Sequence, residues 1–377
     1  MYLTKEKFES TAKAFRKVTM KMQNPSNEKK KPLKQLNFLP GPVAIRKEVE
    51  NAFCMPPISN RSSDFVDLVK AVRNKLCQLV NAENAQIVIG TGTLANDLVA
   101  AQIKKLSGRG LILANGEFGY RLIDHAERMH LPFYTLEKQW NEKITVEEIE
   151  RFFETHPDIH WLWSVHCETS TGYLYDLNRL KALTKKYQIK LCMDACSSVG
   201  VVPVDLKDVY LASTVSGKGL GSYSGLAIIF HQEKIECSKD IPRYLDLGQY
   251  AEMDSVPYTH SSNMIFALQE AIKKVDTGNK AVLANAVKRM LTNAGFSVLG
   301  GNDYSPGIIT ISLPNSISSK YIGDALQKEG IFISYKSNYL LKRNWIQFAL
   351  MGDQTLMDFE IAFAILQRIK NEKMMQV

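Results

Sequence analysis

Lys190-Leu-Cys-Met-Asp-Ala-Cys-Ser-Ser-Val-Gly200 and, shortly after it, Ala212-Ser-Thr-Val-Ser-Gly-Lys-Gly-Leu-Gly-Ser-Tyr-Ser-Gly225 decide how this 377-residue chain is read. The first is an apolar run that ends on an aspartate, Asp194, before a turn of small residues. Ligands of open α/β sheets gather at the carboxyl ends of strands, and a carboxylate held there needs either a cationic partner or the job of capping the next turn. The second stretch sets one lysine, Lys218, among glycines and serines between two apolar runs. Such a lysine is a phosphate ligand, an amine of lowered pKa, or an ordinary loop residue. The nucleotide-binding pattern G-x4-G-K-[ST] fails twice here, at Ala212 and at Gly219.

Upstream, Ile87-Val-Ile-Gly-Thr-Gly-Thr-Leu-Ala-Asn96 runs from a strand into a Gly/Thr turn that opens a helix. The free N–H groups of such a helix start, with the hydroxyls of Thr91 and Thr93 beside Gly92, make a phosphate cradle. Gly90, Gly92 and Ala95 also fit the dinucleotide fingerprint, with Glu117 placed as its ribose-binding acid, so a nicotinamide-dependent oxidoreductase and a purely structural turn stay open.

Further apolar runs at 111–114, 133–136, 161–165, 209–212 and 226–230 complete seven candidate strands. Most are separated by amphipathic segments long enough for a crossover helix, such as 95–106, 146–153 and 177–187. Ser62 or Ser63 is placed to cap a helix with apolar positions Phe65, Leu68, Val69, Val72, Leu76 and Leu79. The pattern predicts an α/β fold with a mostly parallel seven-stranded sheet. Beyond about residue 255 the order changes to helices at 264–275 and 281–293, strands at 308–313, 331–334 and 345–349, and a closing helix at 355–369, a smaller α+β domain. The expected organisation is an arm at 1–36, a large domain at 37–255 and a small domain at 256–377.

Composition narrows the function classes. The chain is 45% apolar, and no apolar run approaches the ~20 residues of a membrane span. Of the net charge of +8, +7 sits in residues 1–34, which hold ten Lys or Arg against three Glu, leaving +1 for the rest. Within this arm Phe8, Ala12 and Phe15 predict one amphipathic helix, and 24–32 a linker. No nucleic-acid-binding signature accompanies the charge, so neither nucleic acid nor membrane is an expected partner. Six cysteines without CxxC spacing read as thiols of a reducing compartment, and no metal site is expected. A cytoplasmic location follows from this reading.

Taken in order, a phosphate cradle, a strand-end aspartate and, 24 residues later, a lysine in a Gly/Ser loop describe pyridoxal phosphate bound to the large domain. The resemblance is specific. Leu39-Pro-Gly-Pro42, Thr91-Gly-Thr-Leu-Ala95, Asn115-Gly-Glu-Phe-Gly-Tyr-Arg121, His166-Cys-Glu-Thr-Ser-Thr-Gly172, Asp194-Ala-Cys-Ser-Ser-Val-Gly200, Ser216-Gly-Lys218 and Pro257-Tyr-Thr259 follow in the order found in class V, fold type I, pyridoxal-phosphate aminotransferases. Within that class the sequence is most similar to 2-aminoethylphosphonate:pyruvate aminotransferases, with the alanine or serine:glyoxylate branch as alternative.

The resemblance implies a role for each matching position. Lys218 would form the Schiff base with the cofactor and shuttle a proton. Asp194 would keep the pyridine nitrogen protonated. Phe118 would stack on the ring, Thr169 would approach it, and Thr91, Gly92 and Thr93 would bind the phosphate. Thr259 matches a phosphate contact from the neighbouring subunit, implying a homodimer with shared sites, and the substrates would be a small amine and a 2-oxo acid. Two departures stand out. Gln347, in Trp345-Ile-Gln-Phe-Ala-Leu-Met-Gly352, replaces the arginine that grips the substrate's anion, and Gly217 replaces an often polar residue before the lysine. Arg343, Arg61 and Arg243, with Lys342, are candidate substitute cations. A protein that binds the cofactor but has lost transamination also fits the missing arginine.

Overall fold

The computed structural model describes residues 35–301 and 303–375. The helix and linker predicted within residues 1–34 lie outside the described residues. All seven predicted strands form. They are β1 (Asn84–Ile89), β2 (Arg109–Ala114), β3 (Phe133–Glu137), β4 (Ile159–Val165), β5 (Lys190–Asp194), β6 (Leu211–Val215) and β7 (Leu226–His231), joined in one sheet of order β1-β7-β6-β5-β4-β2-β3.

The pairs β3·β2, β2·β4, β4·β5 and β5·β6 are parallel. Only β7 runs against its neighbours, pairing antiparallel with both β1 and β6. Strands β1 and β6 therefore point the same way, and their carboxyl ends share an edge with those of β4 and β5. The strands read as continuous apolar runs because helices bury both sheet faces, leaving Ile87, Leu111, Leu162, Leu191, Leu211 and Ile228 with almost no exposed surface.

Helix starts follow their capping chemistry. Ser62 accepts from the Phe65 N–H at 3.3 Å to open Ser63–Val80. Thr145 and Glu148 cap one another reciprocally at the start of Val146–Thr155, as Thr355 and Asp358 do for Leu356–Met374.

A second hydrophobic cluster is built from Val287, Leu291, Ile309, Ile311, Leu326, Ile346, Phe348, Phe359 and Leu366. Strand β8 (Ile308–Ser312) pairs antiparallel with β9 (Trp345–Ala349) there. The run at 331–334 forms a strand, but Ile331–Ile333 pairs in parallel with Leu36–Phe38, a strand that the sequence pattern did not mark. Phe38 thereby packs edge-on against Phe348 and Phe359. The helix Ser262–Ile272 sends Ile265, Leu268 and Ile272 into the larger cluster instead.

Candidate active site

Asp194 and Lys218 reach the same sheet edge by different routes. Asp194 ends β5, opposite Ser213 of β6, and is buried. Its Oδ2 accepts from Asn96 Nδ2 at 2.8 Å and its Oδ1 from the Cys196 N–H at 2.9 Å. Asn96 is fixed in turn by the Ser213 hydroxyl, 2.7 Å from Asn96 Oδ1. Two neutral donors thus orient a buried carboxylate that has no cationic partner among the described residues.

Lys218 stands on the loop between β6 and β7. Its Nζ donates to Ser197 Oγ at 2.9 Å and lies 5.5 Å from the Phe118 ring centroid. Backbone packing holds this loop against the one after Asp194. A Cβ on Gly200, where φ is +78°, would come 2.4 Å from the Gly219 carbonyl oxygen, and one on Gly219 would come 2.3 Å from that of Val199. Gly217 has a similar cause: a Cβ there would sit 2.8 Å from Ser224 Cα. The small residue before the lysine is thus explained by a close approach within the loop.

The segment after β4 supplies the opposite wall. Thr169 is buried and its hydroxyl donates to Ser197 Oγ at 2.5 Å. Glu168, fully buried, accepts from the N–H groups of Phe118 (3.1 Å), Gly119 (2.9 Å) and Ser170 (3.1 Å), and from the Ser170 hydroxyl. Burial raises its pKa, and these donors pull it back down. A carboxylate on the first turn of the helix Glu117–Arg128 favours that helix start, which sets where Phe118 stands. Glu117, read as a possible ribose ligand, instead pairs with Arg121 at 3.0 Å within that helix.

At the end of β1, Thr91 is the N-cap residue of the helix Gly92–Ile103, and its side chain makes no capping bond. The first N–H groups of a helix have no carbonyl partner within it, and here they open beside the exposed Thr91 and Thr93. The turn lies against the segment after Asp194 and against β6, since a Cβ on Gly92 would meet Cys196 Sγ and Val215 Cγ1 at 3.4 Å, ordinary contact distance.

Gln347 also reaches this region, but inward. It lies on β9, fully buried, and its Nε2 donates to the carbonyl oxygens of Thr169 (2.9 Å) and Ser170 (3.1 Å) and to Thr310 Oγ1 (2.9 Å). Two carbonyls facing the amide fix which end is nitrogen. Arg343 ends the helix Asn338–Arg343, with its guanidinium carbon 3.5 Å from the Trp140 ring centroid and 5.7 Å from that of Trp345.

Arg61, Arg243 and Thr259 are exposed and lie near Tyr258, whose ring stacks on Tyr244, a residue that donates to the Ile89 carbonyl at the end of β1. Tyr258 accepts at its carbonyl from Asn60 Nδ2 and donates its hydroxyl to the Arg243 carbonyl at 2.9 Å. The structure thus gathers Asp194, Lys218, Phe118 and Thr169, and brings the Thr91–Thr93 turn to them through Asn96. Ser197, Glu168 and Asn96 all fall within the stretches quoted from the sequence, none of them singled out there. A buried polar residue four positions after the Gly/Thr turn was the available signal for Asn96.

Residues 48–335 match the aminotransferase class-V family, and the chain belongs to it. Among its relatives, an uncharacterized aminotransferase of Methanocaldococcus jannaschii is 30% identical over 285 residues, covering 71% of this chain and 73% of that protein. A 2-aminoethylphosphonate–pyruvate transaminase of Pseudomonas aeruginosa is 28% identical over 249 residues, 63% of this chain and 67% of that one. The crystal structure of an alanine–glyoxylate aminotransferase from Nostoc sp. superposes with a TM-score of 0.82 at 26% identity, covering 92% of this chain and 97% of that one. The nicotinamide oxidoreductase reading of Gly90–Ala95 gives way to this membership.

Proposed function

We propose that this aminotransferase moves an amino group from a small amine of the 2-aminoethylphosphonate type to a 2-oxo acid such as pyruvate, using pyridoxal phosphate. The observation that carries the reading is the Lys218 amine, held 2.9 Å from Ser197 Oγ at the same sheet edge as the buried Asp194. The residues fit the cofactor on their own chemistry. Asp194 has two neutral donors and no cation beside it, which suits a protonated pyridine nitrogen. The helix start at Gly92, with Thr91 and Thr93, offers N–H and hydroxyl donors to a phosphate. Phe118 offers an aromatic face near Lys218.

When bound, pyridoxal phosphate supplies the electron sink that stabilises negative charge on the amine's carbon. Lys218 Nζ would hold the cofactor's aldehyde end and would be placed to carry a proton. Ser197 and Thr169 orient that amine, and Asp194 keeps the ring nitrogen charged. We also propose a homodimer in which the exposed Thr259 reaches the partner's phosphate site. The six cysteines are free thiols, and no helix among the described residues is long and apolar enough to cross a membrane. Both facts support a cytoplasmic location. The division into an arm at 1–36, a large domain at 37–255 and a small domain at 256–377 stands as a proposal, and the two hydrophobic clusters support two cores.

The alanine:glyoxylate alternative draws support from the Nostoc structure, and the absence of an arginine at Gln347 bears on the anion of either donor alike. Single-turnover reaction of the holoenzyme with an amine panel, followed by pyruvate, tests the proposal. Conversion of pyruvate to alanine is the expected result. A holoenzyme that takes nitrogen from no amine overturns it and leaves a cofactor-binding protein without transaminase activity.

A further inference from the structure

We infer that Arg343 is the residue that grips the substrate's anionic group, so that the preferred amine donor is an ω-amino anion rather than an α-amino acid. The inference rests on the aminotransferase reading and names the substrate class of that same site.

The first step removes Gln347 from consideration as a substrate ligand. Both N–H bonds of its amide are spent on the Thr169 and Ser170 carbonyls and on Thr310, and the side chain is fully buried. It ties β9 to the segment that carries Thr169 and offers no donor to a substrate.

The second step locates a cation on the site-facing side of the same strand. Side chains alternate along a strand, so Trp345 shares the face from which Gln347 reaches Thr169 and Ser170. Arg343 stacks on Trp140, 3.5 Å from its ring centroid, and lies 5.7 Å from that of Trp345. Stacking on an indole face occupies the plane of the guanidinium and leaves its edge donors free. Only one of them has a protein acceptor here, the Tyr339 carbonyl, at a long 3.4 Å. Arg343 is half-buried and has no carboxylate within ion-pair distance among the described residues. A partly desolvated cation with unused donors is matched by a bidentate anion. Burial lowers its pKa, and the charge of Glu117 raises it.

The competing cations are already committed or elsewhere. Arg121 lies 4.9 Å from the Phe118 ring but is paired with Glu117. Arg61 and Arg243 belong to the exposed group around Tyr258 with Thr259, and in the proposed dimer they would lie at the phosphate end of the partner's site.

The third step concerns length. Two strand positions separate Trp345 from Gln347, about 7 Å at the usual rise. Trp140 holds the guanidinium at the Trp345 end, so the anion sits farther out than one gripped from position 347. A donor with extra carbons between amine and anion reaches farther toward that position than an α-amino acid does.

The test uses the holoenzyme. Tryptophan emission is titrated with ethylphosphonate and with propionate, which carry the two anion types but no amine and so do not react. Arg343 touches two of the four tryptophans, so a saturable change is expected in the wild type, with Kd raised at least tenfold in Arg343→Gln. The two probes separate phosphonate from carboxylate preference. In parallel, kcat/KM is measured for 2-aminoethylphosphonate, β-alanine, alanine and propylamine. The wild type is expected to favour the first two over alanine. The ratio of either to propylamine is expected to fall at least tenfold in Arg343→Gln and to recover in part in Arg343→Lys.

The wild-type ranking needs no variant and stands even if a substitution impairs folding. Alanine ranked above both ω-amino anions overturns the donor class, and a wild-type titration curve in Arg343→Gln overturns the anchor. Absence of turnover with every amine, with the titration intact, overturns the aminotransferase reading and the donor class with it. Turnover with a titration indifferent to Arg343 overturns the anchor alone.

Discussion

Ser197 Oγ receives the Lys218 amine at 2.9 Å and, from the other side, the Thr169 hydroxyl at 2.5 Å. One hydroxyl therefore joins the lysine loop to the segment after β4, and Gln347 extends the connection by holding the Thr169 carbonyl. A hydrogen bond to a charged group contributes about 1.5–3 kcal/mol. Ser197→Ala is expected to lower kcat by roughly ten- to a hundredfold while changing KM little, because what is lost is the aim of the Lys218 amine. Steady-state kinetics check this. An unchanged kcat would mean that the loop alone, through Gly200 and Gly219, places the lysine.

Lys218→Ala is expected to abolish the borohydride-reducible visible absorption of the holoenzyme and to leave the fold intact, since the side chain is only partly buried. Peptide mass spectrometry after reduction should find the label on Lys218 in the wild type. A label on another lysine contradicts the assignment.

For Asp194→Asn the expected loss is in rate more than in cofactor affinity. The carboxylate acts on charge that develops during the reaction, and such electrostatic contributions are worth about 3–4 kcal/mol, on the order of 10² to 10³ in rate. The substitution keeps the side-chain shape and places an amide beside Asn96 and the Cys196 N–H. Half-reaction rates equal to those of the wild type remove the role proposed for it.

These residues differ in how visible they are in the sequence. The seven strands are legible because burial on both faces turns each into an apolar run, and Asp194 and Lys218 because each stands at the end of one or between two. Leu36–Phe38 is not legible: three residues carry no periodicity, and their partner Ile331–Ile333 lies at the far end of the chain. Gln347 is legible as a departure from the family pattern, but its commitment to the Thr169 and Ser170 carbonyls is a tertiary fact. Arg343 reads as a surface cation until Trp140, from a distant loop, is seen beneath it.

His166 provides a pH prediction. It is fully buried, its Nδ1 has no hydrogen-bond partner, and burial lowers its pKa from 6.5 to about 4. The folded state holds the ring neutral while the unfolded chain takes up a proton below about pH 6.5. Its contribution is therefore complete above that pH and is lost as pH falls through about 4, a difference of about 3 kcal/mol. Urea unfolding measured between pH 7 and pH 4 should show a shallower decline for His166→Gln than for the wild type. Parallel declines would show that another group carries the acid sensitivity.

Gln347→Arg restores the family's residue and is expected to harm the protein. The amide now satisfies two carbonyls and Thr310 in a fully buried place, and a guanidinium is both longer and charged. Forcing it in displaces the Thr169–Ser170 carbonyls or strains the packing of β9, at a typical cost of about 1–3 kcal/mol for an overfilled core site. Because Thr169 steadies Ser197 and Ser197 steadies Lys218, the disturbance is expected in kcat as well as in the thermal midpoint. No gain in use of anionic amines is expected, since their anchor is Arg343. Thermal unfolding and kcat/KM for 2-aminoethylphosphonate, measured on the same preparation, decide the matter. A stable Gln347→Arg variant with improved turnover of alanine would mean that the pocket at this strand is open to substrate and has merely lost its cation.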